Sequence, residues 1–267
     1  MKSIIVAEAA SNHNGDLGIA KEMIHAAKEA GADMIKFQSY LGRNVKEGHA
    51  DKDRFEKVNL SDEAHFELLE ESNKKEIGFF TTCFDIGRIE FLKTLRITTV
   101  KVASYDMDSR QMVGELARSF QHLIISTGSS DNENVKETVD LLNGTECQYT
   151  LLHCTTLYPT LLERANLSRL DWLKQFTPNV GFSDHTIGTE APKAAIAMGA
   201  VMVEKHFTLD KNMKGNSHKL ACDPKELKEI TEYAQLFEKM YGSDRDVFGE
   251  DELKIRNFYK GLLGEGI

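Results

Sequence analysis

The chain has 267 residues, of which 41% are hydrophobic and 28% charged. That balance can bury a sizeable core and excludes disorder as the main state, and the length matches one α/β barrel of about 250 residues. Thirty-three basic against 42 acidic side chains give a formal net charge of −9, which argues against nucleic acid or an anionic membrane as the main partner but leaves room for a small basic pocket.

No run approaches the roughly 18 apolar residues a spanning helix needs. The start, MKSIIVAEAA, has neither the long apolar stretch nor the cleavage site of a signal peptide, so a cytoplasmic location is expected. Cys83, Cys147, Cys154 and Cys222 form no CxxC pair. They read as reduced, mostly buried thiols rather than a disulfide framework or a zinc knot.

Strand-like and helix-like stretches alternate from the first residues onward. The strand Ser3–Glu8 leads to an amphipathic segment, Leu17–Ala30, with Leu17, Ala20, Ile24 and Ala27 on one face and Gly31 at its end. A second strand, Met34–Ser39, precedes Leu41–Leu60, a polar connection too long for an ordinary loop and read as a lid or an excursion over the active face. The helix Ser61–Glu76 opens on a serine N-cap, and strands follow at Gly78–Cys83, Val100–Ser104 and Leu123–Thr127. After the helix Asn132–Leu142 come strands Tyr149–Cys154 and Val180–His185, the helix Pro192–Met198, the strand Val201–His206 and the helix Pro224–Met240.

Such alternation implies a parallel sheet, and eight units in this length imply a closed (β/α)8 TIM barrel over residues 1–242. An open doubly wound sheet is the alternative, but the GxGxxG fingerprint is absent after the first strand. Residues 243–267 have no slot in a barrel. They are expected to pack on it, join a partner or begin a linker.

Parallel barrels build their sites at the carboxyl ends of their strands. Those ends carry Glu8, then Lys36 and Gln38, Thr82, Lys101 and Ser104, Ser126 and Thr127, His153, Ser183 and His185, and finally Glu204 and His206. Residues two apart share a face, so Lys36 points with Gln38, Ser183 with His185, and Glu204 with His206, while Lys205 faces the helices or a loop. Two imidazoles from neighbouring strands with Glu204 beside them suit a Lewis-acidic divalent metal. The alternative is a pair of hydrogen-bonded histidines that bind nothing.

Lys36 and Lys101 interrupt otherwise apolar strands, and buried ammonium groups need partners. Each either pairs with a carboxylate, Glu8 or Asp106, or joins Thr82, Ser104 and Ser183 as a cradle for phosphate or carboxylate. A third reading makes one lysine a Schiff-base nucleophile. Glu8 closes the apolar strand Ile4-Ile5-Val6-Ala7 and precedes the turn Asn12-His13-Asn14-Gly15. It is the candidate general acid/base.

These residues resemble the sialic acid synthase (N-acetylneuraminate synthase) family through almost the whole chain. The carriers are Ala7-Glu8 with Asn12-His13-Asn14-Gly15, Lys36-Phe37-Gln38, Thr81-Thr82-Cys83-Phe84, Lys101-Val102-Ala103-Ser104, Ser126-Thr127-Gly128, His153-Cys154-Thr155 with Tyr158-Pro159-Thr160, Ser183-Asp184-His185-Thr186 and Glu204-Lys205-His206-Phe207-Thr208. The resemblance implies a transferase that condenses phosphoenolpyruvate with an aldose or amino sugar, giving a 2-keto-3-deoxy sugar acid in carbohydrate biosynthesis. His185 and His206, with Glu204, would hold the metal, Mn²⁺ first and Mg²⁺ or Co²⁺ as alternatives. Glu8 would be the acid/base, with Lys36, Thr82, Lys101, Ser104 and Ser183 holding phosphoenolpyruvate and Gln38, Asp106 and Tyr158 facing the sugar.

Three departures from the family pattern stand out. Thr156 replaces an asparagine, Gly215-Asn216-Ser217-His218 replaces a Gly-Pro-Asp-His run whose aspartate would contact the sugar, and the chain stops where the family's antifreeze-like domain would be approached. The expected partners are therefore the two substrates together with either a homodimer mate or a separate C-terminal-domain partner. A Schiff-base aldolase, and a barrel that needs a second polypeptide to complete its acceptor site, are the alternatives.

Overall fold

Strand β1 (Ile4–Glu8) is hydrogen-bonded to both β2 (Met34–Ser39) and β8 (Met202–His206), and this double pairing closes the sheet. Between them β3 (Gly78–Cys83), β4 (Thr99–Val102), β5 (His122–Ser126), β6 (Gln148–Cys154) and β7 (Val180–Asp184) pair in chain order, every ladder parallel. The (β/α)8 barrel expected from the alternation is the observed fold. The computed structural model describes residues 2–215, 217–242, 249–262 and 264.

Helices α1 (Leu17–Glu29), α2 (Lys52–Lys57), α3 (Asp62–Lys74), α4 (Ile89–Thr94), α5 (Arg110–Ser119), α6 (Asn132–Asn143), α7 (Arg169–Leu173), α8 (Glu190–Ala197) and α9 (Pro224–Tyr241) fill the connections. Their ends follow local chemistry. Asp16 caps α1 by accepting the Ile19 N–H at 3.0 Å, and the chain leaves that helix through Gly31 at φ +86°. A capping box between Asp223 and Glu226, with Pro224 in the first turn, starts α9. None of the described helices is long and apolar enough to cross a membrane.

Two apolar layers result from the two-residue alternation of the strands. Outward residues such as Ile5, Phe37, Val100, Ile125 and Val203 pack with Met23, Leu68, Leu116, Val139 and Ile230 of the helices. Inside, Val6, Phe80, Ile124, Leu152 and Met202 form a separate plug. Gly181 belongs to this inner face because a Cβ there would meet the Met202 carbonyl oxygen and come within 2.6 Å of Leu152 Cδ2.

Three expected strand ends move. Strand β4 stops at Val102, short of Ser104, because the chain tightens into a 3-10 turn at Ser104–Asp106. Strand β5 stops at Ser126, short of Thr127. Strand β7 stops at Asp184, short of His185, since the Asp184 carboxylate captures the Thr186 N–H at 2.8 Å and turns the backbone out of the ladder. Of the polar connection 41–60, Gly42–Asn44 is a 3-10 turn and 52–57 is α2. In the tail, α10 (Glu250–Tyr259) exposes Ile255, Phe258 and Tyr259, while residues 243–248 lie outside the described residues.

Candidate active site

One step above the apolar plug, the next inward positions are Glu8, Lys36, Thr82, Lys101, Ser126, Cys154, Ser183 and Glu204, all buried. Lys36 Nζ donates to Thr82 Oγ1 at 2.6 Å, lies 2.5 Å from Glu8 Oε2 and 3.8 Å from Glu204 Oε1. Lys101 Nζ donates to Ser126 Oγ at 2.7 Å and to Glu204 Oε1 at 3.2 Å, an oxygen that also accepts the Ser183 hydroxyl at 3.2 Å. Two ammonium groups and two carboxylates thus form one network across the barrel interior, a layer above the plug. The expected pairing of Lys36 with Glu8 holds. Lys101 takes Glu204 instead of Asp106, because barrel closure brings β8 across from β4.

The two carboxylates are driven apart electrostatically. Burial lifts the Glu8 carboxyl from 4.5 to about 7, with Lys36 pulling it down and Glu204 pushing it up. Burial also works against the charge on Glu204, but Lys101 and Lys36 overcome it and hold that group below its ordinary range. Burial pulls the Lys101 ammonium down, whereas for Lys36 the carboxylates of Glu204 and Glu8 outweigh burial and raise it. Near neutral pH one carboxylate is a fixed anion and the other is poised to exchange a proton.

His185 and His206 stand one level higher, ring centroids 5.2 Å apart. The Thr155 carbonyl lies 2.8 Å from His185 Nδ1. A carbonyl only accepts, so Nδ1 carries the hydrogen and Nε2 presents a lone pair. Nδ1 of His206 and Oε2 of Glu204 are buried without a partner, and burial keeps both imidazoles below their ordinary pKa, His206 well below. Neutral rings with unpaired nitrogens fit a divalent cation. Glu204 commits Oε1 to Lys101 and Ser183, and among the described residues no group of three or more His, Cys, Asp or Glu is gathered as a ligand set.

Above the imidazoles opens a cavity of about 1200 Å³ whose lining includes Gln38, Asp106, Tyr158 and His206. Gln38 Nε2 donates to Glu8 Oε1 at 3.3 Å, which links this cavity to the candidate acid/base. Tyr158 lies over His185 with centroids 4.0 Å apart. Burial and neighbouring Asp108 raise the Asp106 carboxyl to about 6. Tyr40 and, from the long connection, Arg54 and Phe55 line the same cavity.

The candidate residues Glu8, Lys36, Gln38, Thr82, Lys101, Ser183, Glu204, His185 and His206 come together at one end of the barrel. Ser104, on the 3-10 turn after β4, accepts the Gly128 N–H on its Oγ at 3.2 Å. His153, read as a residue of the sixth strand's active end, turns outward to the Ala165 carbonyl at 2.7 Å and stacks on Phe182. Its neighbour Cys154 faces the site, with Sγ 3.8 Å from His185 Nδ1. Strict alternation from Leu152 identifies Cys154, just as alternation from Ile124 identifies Ser126. Thr156 hydrogen-bonds the Ser129 hydroxyl. Ser217 lines the large cavity, and Asn216 lies outside the described residues.

A closed parallel barrel with all this polar chemistry at the carboxyl ends of its strands has the layout of a barrel enzyme. Residues 23–246 match the NeuB family, and the chain belongs to that family, the sialic acid synthase family its motifs resemble. It is 36% identical to the N,N'-diacetyllegionaminic acid synthase of Campylobacter jejuni, over 98% of this chain and 84% of the relative. It is 40% identical to an uncharacterised protein of Methanocaldococcus jannaschii, over 97% and 81%. The crystal structure of the N-acetylneuraminic acid (sialic acid) synthetase of Leptospira borgpetersenii in complex with citrate superposes with a TM-score of 0.90 at 31% identity, covering 97% of this chain and 93% of that one.

Proposed function

We propose that this protein condenses phosphoenolpyruvate with the open-chain form of an aldose or amino sugar, yielding a 2-keto-3-deoxy sugar acid and inorganic phosphate. The observation that carries the reading is the convergence of Lys36 and Lys101 with Glu8 and Glu204 directly beneath His185 and His206. A trianionic substrate needs that density of cationic donors. The relatives named as sialic-acid-type synthases support the same chemistry.

In this reading Lys36 and Lys101, helped by Thr82, Ser126, Ser104 and Ser183, bind and orient phosphoenolpyruvate. Gln38, Asp106 and Tyr158 seat the acceptor so that its aldehyde carbon faces C3. C3 attacks that carbon, water adds to the resulting cation at C2, and phosphate leaves by C–O cleavage. Glu8, buried and near neutrality, gives the proton that turns the aldehyde oxygen into a hydroxyl or takes one from the water that adds at C2. His185 and His206 would hold a divalent cation, Mn²⁺ first, which when bound polarises the aldehyde.

One observation favours the Schiff-base aldolase: burial pulls the Lys101 ammonium below its ordinary range. Against it, Lys101 is committed as a donor to Ser126 and Glu204. Borohydride reduction in the presence of pyruvate separates the two readings, and no covalent capture at Lys36 or Lys101 is expected. The direct test is phosphate release from phosphoenolpyruvate and Mn²⁺ over a panel of aldoses, including N-acetylmannosamine and diacetamido sugars. Release should require both acceptor and metal, and His185→Ala should abolish it. Normal turnover by that variant refutes the metal site.

A further inference from the structure

Asp184 and Lys205 form a wholly buried ion pair, 0% exposed on both sides, that the proposed chemistry does not use. They face each other as a register pair of the β7–β8 ladder, on the side of the sheet opposite Ser183 and Glu204. Lys205 Nζ donates to Asp184 Oδ2 at 2.6 Å and also to the Thr186 carbonyl. The Asp184 carboxylate accepts the Thr186 N–H at 2.8 Å and its hydroxyl at 3.0 Å. One carboxylate and one ammonium therefore bind together the residues on both sides of His185 and the residue before His206.

Stability alone is a poor reason for such a pair. Desolvating two charges is costly, and well-packed apolar side chains in the same place are often neutral or better. The outward residues two positions before each of them, Phe182 and Val203, are apolar. The charges stand only where the two histidine-bearing strands end. His185 is otherwise tied toward β6, by its ring to the Thr155 carbonyl and by its own carbonyl to the Thr160 N–H at 2.9 Å. His206 has no partner on Nδ1, so its ring position depends on where the backbone of β8 is held. Asp184 with Lys205 adds a side-chain tie between the two histidine segments at the last register pair of the β7–β8 ladder, beyond which the backbones are no longer paired.

We propose that Asp184 and Lys205 are positioning residues that set the spacing of the His185 and His206 rings, so that the two act as one divalent-cation site. The proposal rests on the reading of those histidines as metal ligands. The test is the Mn²⁺ dissociation constant of the purified full chain, read by the electron paramagnetic resonance of free Mn²⁺, alongside urea unfolding. Lys205→Met and Asp184→Asn should each raise that constant about 10- to 100-fold, the usual range for groups that orient a ligand from behind. The double variant D184N/K205M no longer buries an unpaired charge, so it should recover much of the stability that Lys205→Met loses while its Mn²⁺ affinity stays low.

If affinity recovers together with stability, or if the folded single variants bind Mn²⁺ like the parent, the positioning role is overturned while the metal reading stands. If the parent chain binds no Mn²⁺, the metal reading fails and takes this proposal with it. Should Lys205→Met not fold, Thr186→Val removes only the hydroxyl bond to Asp184. It is expected to raise the dissociation constant by a smaller factor, and an unchanged value overturns the role equally.

Discussion

Replacing Glu8 by glutamine should remove activity and, above neutral pH, strengthen the fold. The folded-state carboxyl titrates near 7 against an ordinary 4.5. Between those values the folded chain binds more protons than the unfolded chain, so stability is lost as pH rises through the window. A difference of that size corresponds to about 3 kcal/mol when the window has been crossed. Glutamine does not titrate. It keeps an amide oxygen for Gln38 Nε2, and Lys36 keeps Thr82 at 2.6 Å and Glu204 at 3.8 Å. Urea unfolding of parent and Glu8→Gln from pH 5 to 8 should show the variant gaining on the parent by up to about 3 kcal/mol as pH rises. Phosphate release by the same variant should fall by about 100-fold or more. A stability difference that does not change with pH refutes the claim that burial governs this carboxyl, whatever happens to turnover.

Other expectations follow from equally specific contacts. Gly181→Ala sets a methyl against the Met202 carbonyl and within 2.6 Å of Leu152 Cδ2; urea unfolding should show a loss of about 3 kcal/mol or more, as overpacking against backbone leaves little to yield. Gly128→Ala would put Cβ 2.9 Å from both Ser104 Oγ and the Cys154 carbonyl oxygen, and under the proposed chemistry steady-state kinetics should show the KM for phosphoenolpyruvate rising about 10- to 100-fold with the acceptor KM little changed. Asp106→Asn should give the opposite split, an acceptor KM raised about tenfold. His13 is held neutral by burial, its pKa lowered to about 4 from 6.5; the unfolded chain binds the extra proton, so this group costs up to about 3 kcal/mol as pH falls from 6.5 to 4. A His13→Asn variant with the parent's acid profile in that window contradicts the assignment.

The barrel was legible because its strands are short apolar runs ending in polar residues, a pattern that repeats whatever the helices do. Alternation then put Lys36, Ser183 and Glu204 inward as observed. It failed at His153, where a titratable side chain drew attention from the cysteine beside it, although Leu152 sets the parity. The partner of Lys101 was not legible: Glu204 lies 103 residues away on a strand that does not pair with β4, and only closure of the sheet joins them. Helices α4 and α7, six and five residues long, are too brief to show a periodicity. They form because flanking strands return the chain to the same layer. The lining contributed by Arg54 and Phe55 was announced only by the length of their segment, since polar excursions carry no period.

The plug of Val6, Phe80, Ile124, Leu152 and Met202 makes the barrel a well with a sealed bottom. The lysines sit deep in it, and the cavity bounded by Tyr158 and Asp106 lies above them. Under the proposed chemistry the lower tenant must enter before the upper one, and its departing phosphate must queue behind whatever still fills the mouth. The order of events would then be imposed by depth, with no moving part required.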